Sequence, residues 1–221
     1  MERFYKKSNP ELKRTTLNWR IYDLVKKGII ERVGKGIFKI GENKFYKPNL
    51  DSKTKSVFKK ILENFPYLEV CIWNISILNE FSQHISNNSL IIIEVEKEVS
   101  ESVFLFLKEQ NPNVFINPNS LTLEHYVFSA PNPIVIKNFL SESPVQKVSQ
   151  YTTITIEKLL VDIYCDKDLF SYYQGRELQT IFRNAFEKYT VNTTKLLRYA
   201  SRRGKKKQLN QTVIQIIGNK G

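Results

Sequence analysis

Metal-ligating and redox-active side chains are scarce here: two histidines, two cysteines and one methionine among 221 residues. His84 and His125 stand far apart with no cysteine or acid at ligand spacing, which argues against a zinc site. Cys71 and Cys165 make no disulfide framework, and each sits in an apolar run, the setting of a reduced, buried thiol. The longest apolar runs are about five residues, far short of a membrane span. The chain opens on charged residues with no apolar leader, so a cytoplasmic protein without a membrane partner is expected. A glycine-rich phosphate loop is missing, since Gly34-Lys35-Gly36 is too short and leads into a strand rather than a helix. No nucleophile–base pair is recognisable along the chain. The expectation is therefore a non-enzyme with no cofactor, no catalytic residue and no metal ligand.

What the chain has in excess is positive charge. Its 34 Lys/Arg against 22 Asp/Glu give a formal net charge of +12. The distribution is uneven: residues 1–50 carry 13 cations against 5 acids, and residues 151–221 carry 13 against 6. The middle, residues 51–150, is mildly acidic with 8 against 11. A basic head and tail point to a polyanion bound at the ends. With 41% hydrophobic residues the chain has ample material for a folded core and does not read as disordered.

The head is the most informative stretch. In TTLNWRIYDLVKKGIIERVGKGIFKI, Thr15 and Thr16 suit a helix start, Leu17, Ile21, Leu24 and Val25 recur at helical spacing, and Gly28 suits a stop. Two β-branched runs follow, Ile29–Val33 and Ile37–Ile40, joined by the hairpin-like Gly34-Lys35-Gly36. One helix feeding a small basic hairpin outlines a winged helix-turn-helix, with the helix in the DNA major groove and the wing on the backbone.

At about 100° per residue, Trp19, Tyr22, Asp23 and Lys26 fall opposite the apolar stripe, with Asn18 and Arg20 on its flanks. A tryptophan there either packs under a neighbouring segment or meets a partner. Arg14, Asn18 and Arg20 are candidates for base edges, since Arg reads guanine and Asn reads adenine by paired hydrogen bonds. Lys35, at the wing tip, suits a phosphate. The short segment before Arg14 leaves room only for a one-turn helix at Pro10–Arg14 and a stub at Glu2–Lys7. The candidate DNA-binding set is thus Arg14, Thr15, Thr16, Asn18, Trp19, Arg20, Tyr22, Lys26 and Lys35.

Beyond a polar linker at Gly41–Ser52, the pattern alternates. Helices are expected at Lys53–Asn64, Ile75–Ile85 and Glu98–Glu109, and strands at Leu68–Trp73, Ser89–Glu96, Val114–Ile116, Glu124–Phe128 and Ile134–Ile136. From Ile154 onward the spacing is helical. The fold class is therefore α/β (α+β): a winged helix-turn-helix at residues 1–48, then a mixed-sheet α/β domain at 53–221 with a helical C-terminal part. In NTTKLLRYASRRG, Thr193, Leu196, Leu197 and Ala200 would face inward, gathering Lys195, Arg198, Arg202 and Lys205 outside, with Arg203 beside them. Such a surface suits phosphates or an acidic partner, or is a plain solvated face.

The head segment and ITIEKLLVDIYCDKDLFSYYQGRELQTIFRNAFEKYTVNTTKLLRYASRRG together resemble the AbiEi-type antitoxins of type IV toxin–antitoxin systems, which act in abortive infection. That resemblance implies an N-terminal domain that binds inverted repeats in its own promoter and represses transcription, with the DNA helix on Thr16–Lys27 and the wing on Glu31–Lys39. It further implies that the remainder counteracts a nucleotidyltransferase-like toxin, functionally and not necessarily by direct contact. The abbreviated first helix departs from the family pattern. Two other readings stand beside it: a protein-interaction module that does not bind DNA, and a metal-dependent nuclease built on Glu94 and Glu96, which would share one side of an apolar strand. Glu157 and Asp162 are expected to pair with Lys158 or the arginine-rich tail.

Overall fold

A computed structural model describes residues 13–26, 29–34, 37–41, 44–85 and 89–218. The chain divides into two compact units, Met1–Phe45 and Tyr46–Gly221. In the first, helix α1 (Arg14–Lys26) leads to strands β1 (Ile30–Gly34) and β2 (Ile37–Ile40), an antiparallel pair with Ile30 opposite Ile40 and Glu31 opposite Lys39. The chain leaves the helix through the Ile29 amide, which donates to the Leu24 carbonyl at 2.9 Å. Leu17 and Ile30 are buried, and Ile21 and Leu24 are half-buried, so these residues of the apolar stripe face inward, while Val25, expected with them, is 38% exposed. Of the turn expected at Pro10–Arg14, Arg14 is instead the first residue of α1, and residues 10–12, the Glu2–Lys7 stub, the Gly28 stop and the Lys35-Gly36 tip fall outside the described residues.

The second unit is built on a four-stranded mixed sheet in the order β3-β4-β6-β5. Strand β3 (Cys71–Asn74) is the antiparallel edge, while β4 (Ile91–Val95), β6 (Ile134–Asn138) and β5 (Val114–Ile116) run parallel. Alternation along β4 sorts its side chains onto two faces. Ile91, Ile93 and Val95 join Val57, Phe58 and Ile61 of α2 (Ser52–Asn64) and Val103 and Leu107 of α3 (Lys97–Lys108) in one core. Ile92 points the other way, into a larger core with Trp73 and Val135.

That second core is closed by the helical part. It takes Leu159, Leu160 and Ile163 of α5 (Ile156–Cys165), Ile181, Phe182 and Ala185 of α6 (Arg176–Lys188), Leu196 and Ala200 of α7 (Thr193–Arg202), and Leu209 of α8 (Lys206–Gly218). Strands buried on both faces read as the continuous apolar runs seen in LIIIEV. Among the described residues no helix is long and apolar enough to cross a membrane.

Three sequence expectations are corrected, and a hairpin is added where no element was expected. Glu124–Phe128 is not a strand: it continues the short helix α4 (Ser120–Thr122, capped by Asn119) as a π turn over Leu123–Val127. Leu123 and Val127 are buried while the three residues between them are exposed, a helical spacing and not an alternation. The helix expected at Ile75–Ile85 is a 3-10 turn confined to Ile75–Glu80, because beyond it the Gln83 amide turns away to donate to Glu177 at 2.7 Å. The segment before Ile154 holds a hairpin, β7 (Val145–Val148) with β8 (Tyr151–Ile154), around Ser149 at φ 56°. Its turn has no glycine or asparagine to mark it. Finally, the segment read as a linker is partly packed: Tyr46, Pro48 and Leu50 are buried in alternation, the Tyr46 ring lying 5.6 Å from Phe81 and 5.2 Å from Tyr189.

Asp51 joins this strap to the sheet. One carboxylate oxygen accepts from the Thr54 amide at 2.7 Å, capping α2, and the other accepts from Asn74 Nδ2 at 3.0 Å. Asn74 in turn accepts from the Ser76 amide at 2.9 Å. Asp51→Ala is expected to remove about 1–2 kcal/mol of stability, read as a lower urea midpoint at unchanged slope.

Candidate nucleic-acid interface

The outer face of α1 is open. Trp19 and Tyr22 are 66% and 64% exposed, and Arg14, Thr15, Thr16, Asn18 and Arg20 are exposed around them. Leu17, buried, and Ile21, half-buried, break this run, turned inward. The helix has no acidic residue in its first turn, so its positive N-terminal dipole end and Arg14 act in the same direction on an approaching anion. Trp19 therefore does not pack beneath a neighbouring segment. The face combines hydrogen-bonding groups for base edges with flat rings for contact with a sugar or a partner side chain. Lys35 and the Lys26 side chain lie outside the described residues.

The C-terminal basic surface is arranged differently. Leu196, Tyr199 and Ala200 of α7 are the inward residues, while Thr193, expected among them, is exposed. Asn192 caps the helix, accepting from the Lys195 amide at 3.0 Å, so Thr193 sits in a first turn that overhangs the core. Lys195 Nζ stands 3.6 Å from Glu157, Arg198 Nε stands 3.9 Å from Glu142, and Arg202 pairs with the same Glu142. Arg203, grouped with this surface by sequence, turns inward to Asp162, at 3.3 Å, and to Asp166. Lys205 is exposed. Much of the tail's positive charge thus faces the chain's own carboxylates. The outermost pairs are weak and exchangeable; the Arg203 pairs are not on the surface.

Behind Arg203 runs a ladder of charges: Glu94, Lys158, Asp162, Arg203, Asp166, Lys137. Lys158 is 1% exposed, and its ammonium donates to Glu94 Oε1 at 3.0 Å, Asp162 Oδ2 at 2.7 Å and the Tyr199 hydroxyl at 3.1 Å. Glu94 Oε2 stands 2.8 Å from the same nitrogen as an ion contact, with no hydrogen bond of its own. Asp162 Oδ1 accepts from Tyr199 at 2.9 Å and from Arg203. Burial pushes the Glu94 carboxyl up, although Lys158 opposes it. Burial alone would pull Lys158 down, but Asp162 and Glu94 outweigh it and hold the amine charged. An ammonium fixed this way is no nucleophile. Nor are the cysteines reactive: burial raises the Cys71 thiol well above its ordinary value and Cys165 to about 11.

Asp162 pairs with Lys158 and Arg203 as expected, while Glu157 lies outside the ladder and faces Lys195; what went unforeseen is that Glu94 and Tyr199 meet the same Lys158 ammonium. A signal was available: Glu94 and Lys158 each interrupt a run of buried apolar residues, and a buried charge requires a partner. It also changes the nuclease reading, because Glu94 is engaged by Lys158 while Glu96 lies past the strand end, exposed, at the start of α3. Among the described residues no three His, Cys, Asp or Glu side chains converge as a metal site would require.

Lys158→Met leaves two buried carboxylates facing each other and is expected to cost about 3–5 kcal/mol, measured by urea unfolding. Asp166 offers a pH test. Burial raises its carboxyl, but Lys137 and Arg203 more than offset this and hold it below the ordinary 3.8. A depressed carboxyl stabilises the fold above its unfolded pKa and loses that contribution as pH falls through the folded value. The stability gap between the native chain and Asp166→Asn should therefore be full near neutrality and close progressively below about pH 4.

Comparison with curated proteins finds no match. Residues 16–219 match a family described as Family of unknown function (DUF6577). The match begins inside α1 and takes in two thirds of the first unit and nearly all of the second, and the chain belongs to this family.

Proposed function

We propose that the chain is a DNA-binding transcriptional repressor whose first unit is a winged helix-turn-helix, and that it serves as the antitoxin of a toxin–antitoxin pair. The observation that carries the DNA reading is the outer face of α1, where Arg14, Asn18 and Arg20 stand exposed beside Trp19 and Tyr22 at the start of a helix followed by a two-stranded ribbon. In this reading Arg14, Asn18 and Arg20 meet base edges, Thr15 and Thr16 meet a phosphate near the helix start, and Lys35 lies along the backbone. The antitoxin role rests on the resemblance of the head and tail segments to AbiEi-type proteins. Action against a nucleotidyltransferase-like toxin then falls to the second unit, as a non-enzymatic activity in the cytoplasm.

A gel-shift assay of the full chain on the gene's own upstream duplex tests this. Arg14→Ala, Asn18→Ala and Arg20→Ala should each weaken specific binding by about 1–3 kcal/mol where they meet a base, and raising salt should weaken it steeply. Sequence-specific binding untouched by all three changes refutes the recognition-helix assignment. A protein-interaction module is favoured by a different observation on the same unit: Ile37 and Ile40 are 62% and 86% exposed. If Ile40→Asp abolishes protection from the toxin while the gel shift is unaltered, that ribbon serves a protein and not the duplex.

A further inference from the structure

The carboxyl ends of the parallel strands enclose a cavity of about 630 Å³ that the DNA reading does not use. Its position follows from the topology. The connection leaving β4 crosses through α3, whose Val103 and Leu107 pack on one sheet face. The connection leaving β5 returns to β6 through the α4 turn, whose Leu123 and Val127 pack on the other. The two connections lie on opposite faces of the sheet, and the cavity opens on the Leu123 face, past the ends of β5 and β6. Asn117, just past β5, and Lys137, near the end of β6, line it.

Its rim is held in place by the chain's own bonds. The Asn117 amide donates to the Ile136 carbonyl at 2.8 Å, and its side chain donates to Asn138 at 3.3 Å. Asn117 itself sits at φ 40°, in the left-handed region that asparagine tolerates. Ser120 donates to Asp168 at 2.6 Å, tying the α4 turn to the loop after α5. A preformed rim lowers the ordering cost of binding.

The charges are sorted. Asp166 on the wall is neutralised from behind by Lys137 and Arg203. Lys167 and Lys205 are exposed at the mouth, and among the described residues no carboxylate lies within ion-pair distance of either. A second hollow, of about 410 Å³, shares Ser120 and Asp168 with the first and is lined by Tyr172 and Phe128. Tyr172 is 72% exposed, its ring backed edge-on by Phe128 at 5.5 Å. A cationic mouth thus adjoins an aromatic platform, with amide and carboxylate groups between.

From this arrangement we infer that the second unit binds a nucleoside monophosphate: the phosphate at Lys167 and Lys205, the ribose hydroxyls at Asp168 and Asn119, and the base stacked on Tyr172. Stacking on an exposed ring suits any base, and the volume is that of a small-molecule site and not a polymer track. Burial raises the Cys165 thiol on the wall to about 11.

Calorimetric titration of the full chain with AMP, GMP, adenosine and inorganic phosphate tests the inference. AMP or GMP should bind with a dissociation constant at or below about 1 mM. The double substitution Lys167→Ala with Lys205→Ala should weaken this by about tenfold or more. Tyr172→Ala should weaken nucleotide binding about fivefold or more while leaving phosphate binding as it was. All three side chains are exposed, so the fold should survive, and an unchanged urea midpoint verifies this. Arg14→Ala with Arg20→Ala must leave nucleotide binding intact, which keeps this result separate from the fate of the DNA reading. No binding of either nucleotide at several-fold above about 1 mM, binding indifferent to the lysine pair, or binding of single-stranded oligonucleotides alone would each overturn it.

Discussion

The second unit turns on one buried ammonium. Lys158 draws together a carboxylate from β4, a carboxylate one helical turn away on its own helix, and a hydroxyl from α7. Each partner alone would be costly to bury, and together they fix which face of α5 meets the sheet and where α7 crosses it. An all-apolar contact would allow those helices to slide; charges at 2.7–3.0 Å do not. Register of this kind is what a buried ion pair specifies best. Through Asp162 and Arg203 the same network reaches Asp166 and Lys137, so the cavity wall at the strand ends inherits its rigidity from the core.

Charge is therefore used in two opposite ways along this chain. Along α7 and just past it, Lys195, Arg198, Arg202 and Arg203 are folded back on Glu142, Glu157, Asp162 and Asp166. Counting lysines and arginines there overstates what a polyanion would meet. Along α1, Arg14 is exposed beside two uncovered aromatic rings. The formal excess of +12 is a poor guide to binding until it is sorted in this way.

Much of this was legible in the residues. The apolar spacing of Leu17, Ile21 and Leu24 marks a helix, the β-branched runs around Gly34 mark an antiparallel pair, and SLIIIEVE marks a strand buried on both faces. What escaped has physical reasons. LEHYVF carries aromatic and β-branched residues that favour a strand, yet burial of both Leu123 and Val127 in the larger core selects a π turn. The β7–β8 turn relies on a left-handed serine, which no sequence rule favours. The Lys158 ladder joins residues 64 positions apart, a pairing that local spacing does not reveal. Likewise the cavity is assembled from three loops that only the sheet order brings together.

The central claim is that the outer face of α1 meets a DNA duplex, and the chain carries its own reporter for it. It has two tryptophans, Trp19 at 66% exposure on that face and Trp73 at 1% in the core. Acrylamide quenching of the free protein should therefore act almost wholly on Trp19. Saturation with the gene's own upstream duplex is predicted to shield it, reducing the accessible fluorescence to near that of the buried Trp73. Quenching that is undiminished at saturating duplex contradicts the account.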